Sequence, residues 1–296
     1  MKVIGIDLGG HNTAAAEIDP ACGLCGEVVE VPTPSSRTAA DVFQTIADIV
    51  KEVTPEKELL IGIGIPGYLN RSRTRVALLT NFNGINNMEL PVLLEAYLEK
   101  QGLCASVKME NDANCAALGE GIGGAAQGCA DYTVLTLGSG VGSGVVSGGR
   151  LLIGAHGMAG EAGHMSVGAE KNLCLCGGFM HLEQSFSADR IEKRAAAAML
   201  PADFKELWTR RSEERIRPLM GDALDTLARS IASLCVVTDP EMIILSGGIS
   251  RALGLREELL PLVLNYLPIP YRETFDLRIS ALGSKAALIG AGSLFA

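Results

Sequence analysis

The sequence is poor in basic residues. It contains 25 lysines and arginines against 34 aspartates and glutamates, which gives a formal net charge of −9 at pH 7, and no run of five basic residues occurs. Nucleic acids and anionic membranes bind proteins mainly through clustered positive charge. The sequence therefore favours neither nucleic acid nor a membrane as a partner.

Long apolar runs are also lacking. The longest uncharged stretch, residues 132–149, holds nine glycines and serines among its 18 residues, whereas a bilayer span needs a denser apolar run. The N-terminus reaches a carboxylate at Asp7 and shows no secretory signal. We expect a cytoplasmic protein, in which the eight cysteines are reduced or metal-bound rather than paired.

Glycine, in contrast, is abundant, and short apolar runs alternate with stretches of helical periodicity. The 35 glycines imply many tight backbone sites, and 296 residues suffice for two lobes or one large α/β unit. Strand clusters that alternate with helices predict an α/β fold with a mixed sheet in each half. The predicted strands are 3–8, 13–18, 27–31, 59–65, 105–109, 132–137, 141–146, 242–245 and 275–279, and the predicted helices are 37–53, 90–98, 111–119, 218–237 and 286–294.

Each half opens with a strand that runs into a glycine-rich turn. The first turn follows Asp7 and contains Gly9 and Gly10, and the second spans residues 138–144. Such turns present backbone N–H groups without obstruction by Cβ atoms, so they can bind phosphate. Two hairpin turns are one interpretation, and a triphosphate with its Mg²⁺ gripped between two lobes is the other. Neither turn is a P-loop, because no Gly-Lys-Ser/Thr follows.

Asn111 and Asp112 lie where a predicted strand meets a predicted helix. The carboxyl ends of strands carry the sites of α/β sheets, so this pair is a candidate for catalysis. Asn or Asp at such a junction is also a good helix N-cap, and the sequence leaves both roles open.

Four soft metal donors fall within 18 residues: His164, Cys174, Cys176 and His181. Two nitrogens and two sulfurs form the tetrahedral set that Zn²⁺ prefers, although a shielded pair of thiols with unrelated histidines is the alternative. A Cys-x-x-Cys pair at residues 22–25 lies in a predicted hairpin turn without a second pair, and we interpret it as structural.

Together these motifs resemble the ROK family of sugar kinases and repressors (repressor, open reading frame, kinase). The resemblance covers almost the whole chain: residues 5–10 resemble the first phosphate motif, 110–120 the catalytic segment, 138–144 the second phosphate motif, 156–183 the sugar and zinc signature, and 246–248 with 283–291 the adenosine-side segments. It implies an actin-like ATPase (ribonuclease H-like) fold, with two α/β lobes and a cleft between them. The lobes would be residues 1–115, with a helix near 284–296 packed back on them, and residues 116–283, with a zinc-binding loop at 164–183.

By this resemblance the protein would phosphorylate a hexose, with glucose favoured, at its 6-hydroxyl, using ATP and Mg²⁺, with Asp112 as general base. It would hold a structural Zn²⁺ and form a homodimer. The residues expected to bind the sugar are Gly67, Asn111, Asp112, Glu161, His164 and Glu183. Those expected to bind the nucleotide are Asp7, Gly9, Gly10, Asn12, Gly138, Ser139, Gly140, Gly142, Gly247 and Gly248, and the zinc ligands would be His164, Cys174, Cys176 and His181.

The chain departs from the family at some of these positions. His11 and Asn12 stand where the family usually has Thr-Lys, which bears on ATP contact, and Ile85 replaces a tryptophan. His181 replaces the third zinc cysteine, and Met180 replaces the glycine before it. Because histidine is longer than cysteine, the predicted zinc site must accommodate a longer side chain at position 181.

Other functions fit parts of the pattern. The sugar could be N-acetylmannosamine, mannose, fructose or allose, or the chain could be a non-catalytic sugar-sensing ROK protein or a repressor without its DNA-binding domain. ROK repressors add an N-terminal helix-turn-helix, whereas the phosphate motif starts at residue 5 here, so we expect a kinase. A non-catalytic actin-like ATPase would share the two turns but would have no use for Asn111 and Asp112 together with Glu161, His164 and Glu183.

Overall fold

The computed structural model describes residues 1–79, 82–167, 173–174 and 176–296, so residues 168–172 and 175 of the predicted zinc-binding loop lie outside the described part. The strands are β1 (Lys2–Leu8), β2 (Asn12–Asp19), β3 (Gly23–Leu24), β4 (Val29–Pro32), β5 (Glu58–Ile65), β6 (Tyr68–Leu69), β7 (Val76–Leu78), β8 (Cys104–Asn111), β9 (Tyr132–Leu137), β10 (Val141–Ser147), β11 (Arg150–Leu151), β12 (Met242–Ser246) and β13 (Leu277–Ile279). The helices are α1 (Ala39–Val53), α2 (Leu90–Lys100), α3 (Asp112–Gly123), α4 (Leu182–Phe186), α5 (Ala188–Ala197), α6 (Phe204–Thr209), α7 (Arg217–Thr238), α8 (Leu255–Tyr266), α9 (Ile269–Arg272) and α10 (Lys285–Gly292). Single 3₁₀ turns span Ala162–His164, Ile249–Arg251 and Ser293–Phe295.

The chain divides into two compact units. The first comprises Met1–Gly128, Leu151–Gly160 and Ser284–Ala296, and the second comprises Cys129–Arg150 and Glu161–Gly283. The boundary expected after residue 115 falls inside α3, which lies whole in the first unit because it packs against α10.

The first unit is built on a mixed sheet in the order β3, β2, β1, β5, β8, with β4 also paired to β2. The β1–β2 pair is antiparallel, whereas β1–β5 and β5–β8 are parallel. Strand β5 is buried along most of its length, as expected of a central strand covered on both faces. Helices α1 and α2 contribute to the apolar core of this unit, for example through Ile46 and Leu94.

The second unit repeats the same pattern in its own sheet, ordered β11, β10, β9, β12, β13. An antiparallel hairpin, β9–β10, is again followed by parallel pairs, β9–β12 and β12–β13. Helix α7 contributes more residues to its core than any other element and packs against α8, and Trp208 is also buried in this core. The two halves are therefore analogous in topology, as their sequences indicated.

Each strand and helix predicted from periodicity is present, with bounds that differ by at most four residues and with β9 matched at both ends. Helix α8 was not predicted, because Pro261 lies inside it and a proline at such a position usually marks a break. The Pro261 ring is partly exposed, and the helix continues to Tyr266. Within the described part of the chain, no helix is long and apolar enough to cross a membrane.

Helix α10 packs into the first unit with backbone against backbone. A Cβ atom added to Gly62 on β5 would lie 1.8 Å from the carbonyl oxygen of Ala291, and one added to Gly119 on α3 would lie 2.0 Å from that of Ala286. The reciprocal contact places Gly290 against the carbonyl of Cys115. No side chain larger than hydrogen fits at these glycines without moving a helix.

We expect Gly119→Ala to destabilise the protein and Gly221→Ala to leave it unchanged or slightly more stable. The first change overpacks the contact between α3 and α10, which typically costs about 1 to 3 kcal/mol in free energy of unfolding. Gly221 lies on the exposed face of α7 with open space around it, and alanine is the better helix former by up to about 1 kcal/mol. Thermal melting of both variants checks this, and equal melting temperatures would contradict the packing.

Candidate active site

Acidic residues of two strands lie side by side at the carboxyl edge of the first sheet. In the register of the parallel strands, Asp7 on β1 pairs with Gly64 on β5, and Gly64 pairs with Glu110 on β8. A Cβ atom on Gly64 would lie 3.4 Å from the Cα atom of Asp112, at van der Waals contact, so the start of α3 packs directly against β5. The predicted catalytic segment therefore lies beside the first phosphate motif.

Asn111 is both the cap of α3 and a neighbour of Gly67. Its side-chain oxygen accepts a hydrogen bond from the backbone N–H of Asn114 at 3.1 Å, and its Nδ2 donates to the carbonyl of Gly67 at 3.2 Å. The capping interpretation is thus correct, and the cap fixes the residue that precedes Asp112. Three residues predicted to bind the sugar, namely Gly67, Asn111 and Asp112, lie together.

Burial changes the acidity of two carboxylates at this edge. It raises the pKa of Asp112 to about 6, although its own oxygen accepts a hydrogen bond from the backbone N–H of Ala113. Burial, then the negative charges of Asp112 and Glu30, raises the pKa of Asp7 to about 7. Carboxylates with raised pKa values beside each other are typical of sites that handle protons or cations.

The first glycine-rich turn is closed by backbone and side-chain hydrogen bonds. The N–H of Gly9 donates to the carbonyl of Asn12 at 3.0 Å. Thr33 donates through Oγ1 to the carbonyl of Gly9, and Arg37 donates through Nη2 to that of Gly10. The side chain of Asn12, predicted to contact the nucleotide, donates instead to Glu30 at 2.6 Å.

The second glycine-rich turn connects β9 to β10. The N–H of Gly138 donates to the carbonyl of Gly140 at 3.0 Å, and Ser139 between them is exposed. Glu183 accepts a hydrogen bond from the N–H of Val141 at 3.1 Å. A Cβ atom on Gly140 would lie 2.7 Å from the same carboxylate, so a side chain there would require Glu183 to move.

Gly247 and Gly248, which are also predicted to bind the nucleotide, lie near the end of β9. Gly142, a further predicted nucleotide residue, lies in β10. Gly247 has a positive φ of 83°, and a Cβ atom there would lie 2.4 Å from the carbonyl oxygen of Leu137, next to the turn. Gly248 follows, with open space at its Cβ position. The nucleotide residues predicted in the second unit thus lie close to one another, and Glu183 lies beside them.

The 3₁₀ turn after Glu161 packs directly on β10. The N–H of Ala162 donates to Oγ of Ser143 at 2.8 Å, and a Cβ atom on Gly163 would lie 1.9 Å from the carbonyl oxygen of Val141. Glu161 and His164 flank this contact. The predicted sugar residues of the second unit are therefore anchored to the strand that follows the phosphate turn.

His164, Cys174, Cys176 and His181 converge as one cluster. Their ligand atoms all lie within 4.8 Å of one another. Nδ1 of His164 lies 3.2 Å from Nδ1 of His181, while the sulfur of Cys176 lies 3.4 Å from Nδ1 of His181 and that of Cys174 lies 3.9 Å from Nδ1 of His164. Burial lowers the pKa of His164, which favours the neutral ring that a metal needs. These four side chains could hold a tetrahedral metal ion.

The structure shows how a histidine is accommodated at position 181. A Cβ atom on Gly178 would lie 2.5 and 2.6 Å from two ring atoms of His181, so the ring occupies space that only glycine leaves. Met180, just before it, has a positive φ of 62°, a conformation that side chains disfavour. Met180 thus has a backbone conformation that suits the glycine found at this position in the family, and its side chain makes that conformation strained.

Comparison with known proteins identifies one family. The model of the ROK family matches residues 3–296, which is nearly the whole chain. The chain belongs to the ROK family.

ROK relatives with described activities cover the chain end to end. A glucokinase of Thermotoga maritima is 33% identical, over 99% of this chain and 97% of its own length. An N-acetylmannosamine kinase of Escherichia fergusonii is 30% identical, over 99% and 98%. The crystal structure of a ROK glucokinase from Streptomyces griseus, in complex with glucose and AMPPNP, superposes with a TM-score of 0.82 at 28% identity, covering 99% of both chains.

The expected fold and enzyme class are therefore confirmed. The chain is an ATP-dependent sugar kinase with the actin-like ATPase fold of ROK kinases.

The ROK motifs did not reveal every residue that shapes this site. Glu110 and Arg73 form a buried ion pair of 2.7 Å beside the catalytic segment. Arg37 and Thr33 hold the first glycine turn. Glu110 lies within the segment 110–120 that resembles the catalytic motif, and Arg37 begins the predicted helix 37–53, but neither was assigned a role. Thr33 and Arg73 lie in loops without periodicity or motif.

Proposed function

We propose that this ROK kinase transfers the γ-phosphoryl group of ATP to the 6-hydroxyl of glucose, with Asp112 as the general base. The observation that carries the proposal is the position of Asp112. It starts α3 at the carboxyl edge of the sheet, beside the Asn111 cap, with a pKa raised to about 6. The glucokinase relatives support glucose as the acceptor.

Asp112 would act on the attacking hydroxyl. A carboxylate with a pKa of about 6 is mostly ionised at neutral pH and is a stronger base than an ordinary aspartate. Its oxygen would take the proton of the 6-hydroxyl while the hydroxyl oxygen bonds to the γ-phosphorus. The bond from that phosphorus to the bridging oxygen breaks, and ADP leaves. Phosphoryl transfer needs little more from a protein than positioning and charge neutralisation.

Other side chains would orient the sugar. In the first unit Gly67 and Asn111 are fixed to each other by a hydrogen bond, so they would present polar groups in one arrangement. In the second unit Glu161, His164 and Glu183 would bind hydroxyl groups. Glu183 also accepts a hydrogen bond from the N–H of Val141, so one carboxylate would serve both the sugar and the phosphate turn.

The glycine-rich turns would bind the nucleotide through backbone N–H groups. Gly138, Ser139 and Gly140 would do so in the second unit, with Gly247 and Gly248 on the adenosine side. Gly9 and Gly10 would do so in the first unit, where Asn12 is engaged by Glu30 and contributes less than a lysine would. Mg²⁺, when bound with ATP, neutralises phosphate charge, and the half-buried carboxylate of Asp7 is a fitting oxygen ligand.

The metal cluster fits Zn²⁺. Zinc bonds of about 2.3 Å to sulfur and about 2.0 Å to nitrogen, arranged as a tetrahedron, place the ligand atoms about 3.3 to 3.8 Å apart. Three of the separations, 3.2, 3.4 and 3.9 Å, lie near this range, and all ligand atoms lie within 4.8 Å of one another. A bound zinc ion would fix the ring of His164 and the loop around it, leaving the Nε2 atom of His164 for the sugar.

N-acetylmannosamine is the second candidate substrate, because a relative of nearly equal identity acts on it. A coupled assay of ADP release over glucose, N-acetylmannosamine, mannose, fructose and allose would decide. We expect the largest kcat/KM for glucose. A larger value for another sugar would reassign the substrate, and no ADP release with any of them would favour a sugar-sensing role.

We expect Asp112→Asn to lose about 10²- to 10⁴-fold in kcat while it still binds the sugar, because the amide keeps an acceptor but cannot take a proton. In the wild type, kcat/KM should fall as the pH drops from about 7 to about 6, where first Asp7 and then Asp112 would gain a proton. Asp48→Asn, an exposed aspartate on α1, is the control. Retention of wild-type kcat in Asp112→Asn, or a pH profile flat down to pH 5, would contradict the assignment.

For the metal we expect near one zinc per chain, measured by elemental analysis of protein purified without added metal. Gly178→Ala and His181→Ala should each weaken zinc binding, or raise the sugar KM, by about 10- to 100-fold. In Gly178→Ala the new Cβ atom would displace the ring of His181.

The matched rescue uses cysteine, the usual ligand of the family. His181→Cys should keep zinc, and the double variant Gly178→Ala with His181→Cys should regain what Gly178→Ala loses, because the shorter side chain leaves room for the new methyl group. Full zinc occupancy and an unchanged sugar KM in His181→Ala would show that His181 only packs.

A further inference from the structure

The loop between β6 and β7 sends one arginine inward. Arg73 adopts a positive φ of 57°, which is uncommon for a residue with a side chain, and its N–H donates to the carbonyl of Asn70 at 3.0 Å. The side chain of Arg73 is only 13% exposed, whereas that of Arg75, two residues later, is 50% exposed. The tight turn therefore directs one of two neighbouring arginines into the first unit.

The guanidinium of Arg73 compensates a buried charge. Its Nε atom donates to Oε2 of Glu110 at 2.7 Å, and the side chain of Glu110 is 4% exposed. A buried carboxylate is costly unless it is paired and hydrogen-bonded, so the position and orientation of Glu110 depend on Arg73.

The other oxygen of Glu110 holds the start of α3. Oε1 accepts from the backbone N–H of Asn111 at 2.8 Å and from Nδ2 of Asn114 at 3.0 Å. A carboxylate is rigid and planar, so an arginine that fixes one of its oxygens also fixes the other. Asp112 follows Asn111 directly in the chain and begins the helix.

The same guanidinium also holds the segment around Gly157. Nη1 of Arg73 donates to the carbonyl of Gly157 at 2.9 Å and to that of Asn70 at 3.2 Å. Gly157 has a positive φ of 87°, and a Cβ atom there would lie 2.7 Å from Nη1 and 2.8 Å from the backbone nitrogen of Arg71. The close approach leaves no room for a side chain at Gly157.

We propose that Arg73 is a positioning residue of the kinase: through Glu110 it sets the strand-to-helix junction that carries Asn111 and Asp112, and through Gly157 it ties the segment that precedes Glu161 in the chain to the same point. The proposal rests on the proposed role of Asp112 as general base. Arginine suits this task because its fork of N–H groups reaches several acceptors in fixed directions, which an ammonium on a flexible stem cannot do.

The test compares Arg73→Met and Arg73→Lys with the matched control Arg75→Met. Arg75 pairs with Glu89 at an exposed position of the same loop. In the full-length enzyme, below the melting temperature of every variant, kcat, the KM for sugar, the KM for ATP and the calorimetric Kd for sugar are measured. Sugars that the wild type phosphorylates are used.

We expect Arg73→Met to lower kcat and raise both the sugar KM and the sugar Kd, with a combined loss of about 10²-fold in kcat/KM, because misplacement of a reacting group by about 1 Å costs that much. The KM for ATP should stay unchanged. Arg73→Lys should recover part of the loss, since lysine can pair with Glu110 but cannot also reach Gly157. Arg75→Met should behave as the wild type.

A merely structural role predicts a different result. Destabilisation alone lowers the folded fraction, so the rate per total protein falls while the sugar KM and Kd stay at wild-type values. That outcome, or equal kinetics of Arg73→Met and Arg75→Met, overturns the proposal.

A double variant guards against a failure to fold. Arg73→Met with Glu110→Gln removes the uncompensated charge and should restore the melting temperature, while the sugar KM and kcat stay impaired because nothing orients the amide. Recovery of the kinetics together with stability overturns the proposal.

Asp112→Asn, measured in parallel, separates the two proposals. If it keeps the wild-type rate, the role of Asp112 fails, and the sugar Kd of Arg73→Met still tests the positioning of Asn111. If it is inactive while Arg73→Met is normal, only the role of Arg73 fails.

Discussion

The close approach of backbones where side chains are missing sets the architecture of the first unit. Gly5 and Gly62, on two neighbouring parallel strands, face the carbonyl oxygens of α10, and Gly119 and Gly290 bring α3 and α10 together in the same way. Backbone atoms have no rotamers, so these contacts allow few alternatives. The position of α3 relative to β1 and β5 is therefore well determined, and with it the position of the residue that starts the helix.

On this rigid base the protein arranges three carboxylates differently. Glu110 is paired with Arg73 and accepts two further hydrogen bonds, so its charge is compensated. Asp7 and Asp112 are half-buried and have no arginine partner among the described residues, and desolvation raises their pKa values to about 7 and about 6. The contrast separates a carboxylate that organises the structure from two that remain available for protons and cations.

Much of this arrangement could be predicted from the sequence, because its signals are local. Buried strands such as β1 and β5 are apolar runs, the turns predicted to bind phosphate are glycine-rich, and the four candidate metal ligands fall within 18 residues. The place of Asn111 at the strand end follows from its immediate neighbours, which also made a cap one of its two open roles.

What could not be predicted depends on contacts between distant residues or on backbone conformation. Arg73 meets Glu110 across 37 positions, and Glu183 meets Val141 across 42. No periodicity records such pairs. The room that Gly178 leaves for His181 and the positive φ of Met180 become visible only when the chain is folded. The sequence showed that a histidine stands where the family has a cysteine, and the structure shows that Gly178 leaves the space for its ring.

The placement of α10 has a consequence for the order in which the protein is made. Residues 285–292 complete the core of a unit whose other residues come almost entirely from positions 1–128. During synthesis the second unit has all of its residues, up to Gly283, before the first unit receives its last helix. Domains commonly fold in the order in which they leave the ribosome, N-terminal first. Here residues 1–128 are made before α10, so the glycine faces of β1 and β5 stay uncovered until residues 285–292 have been synthesised.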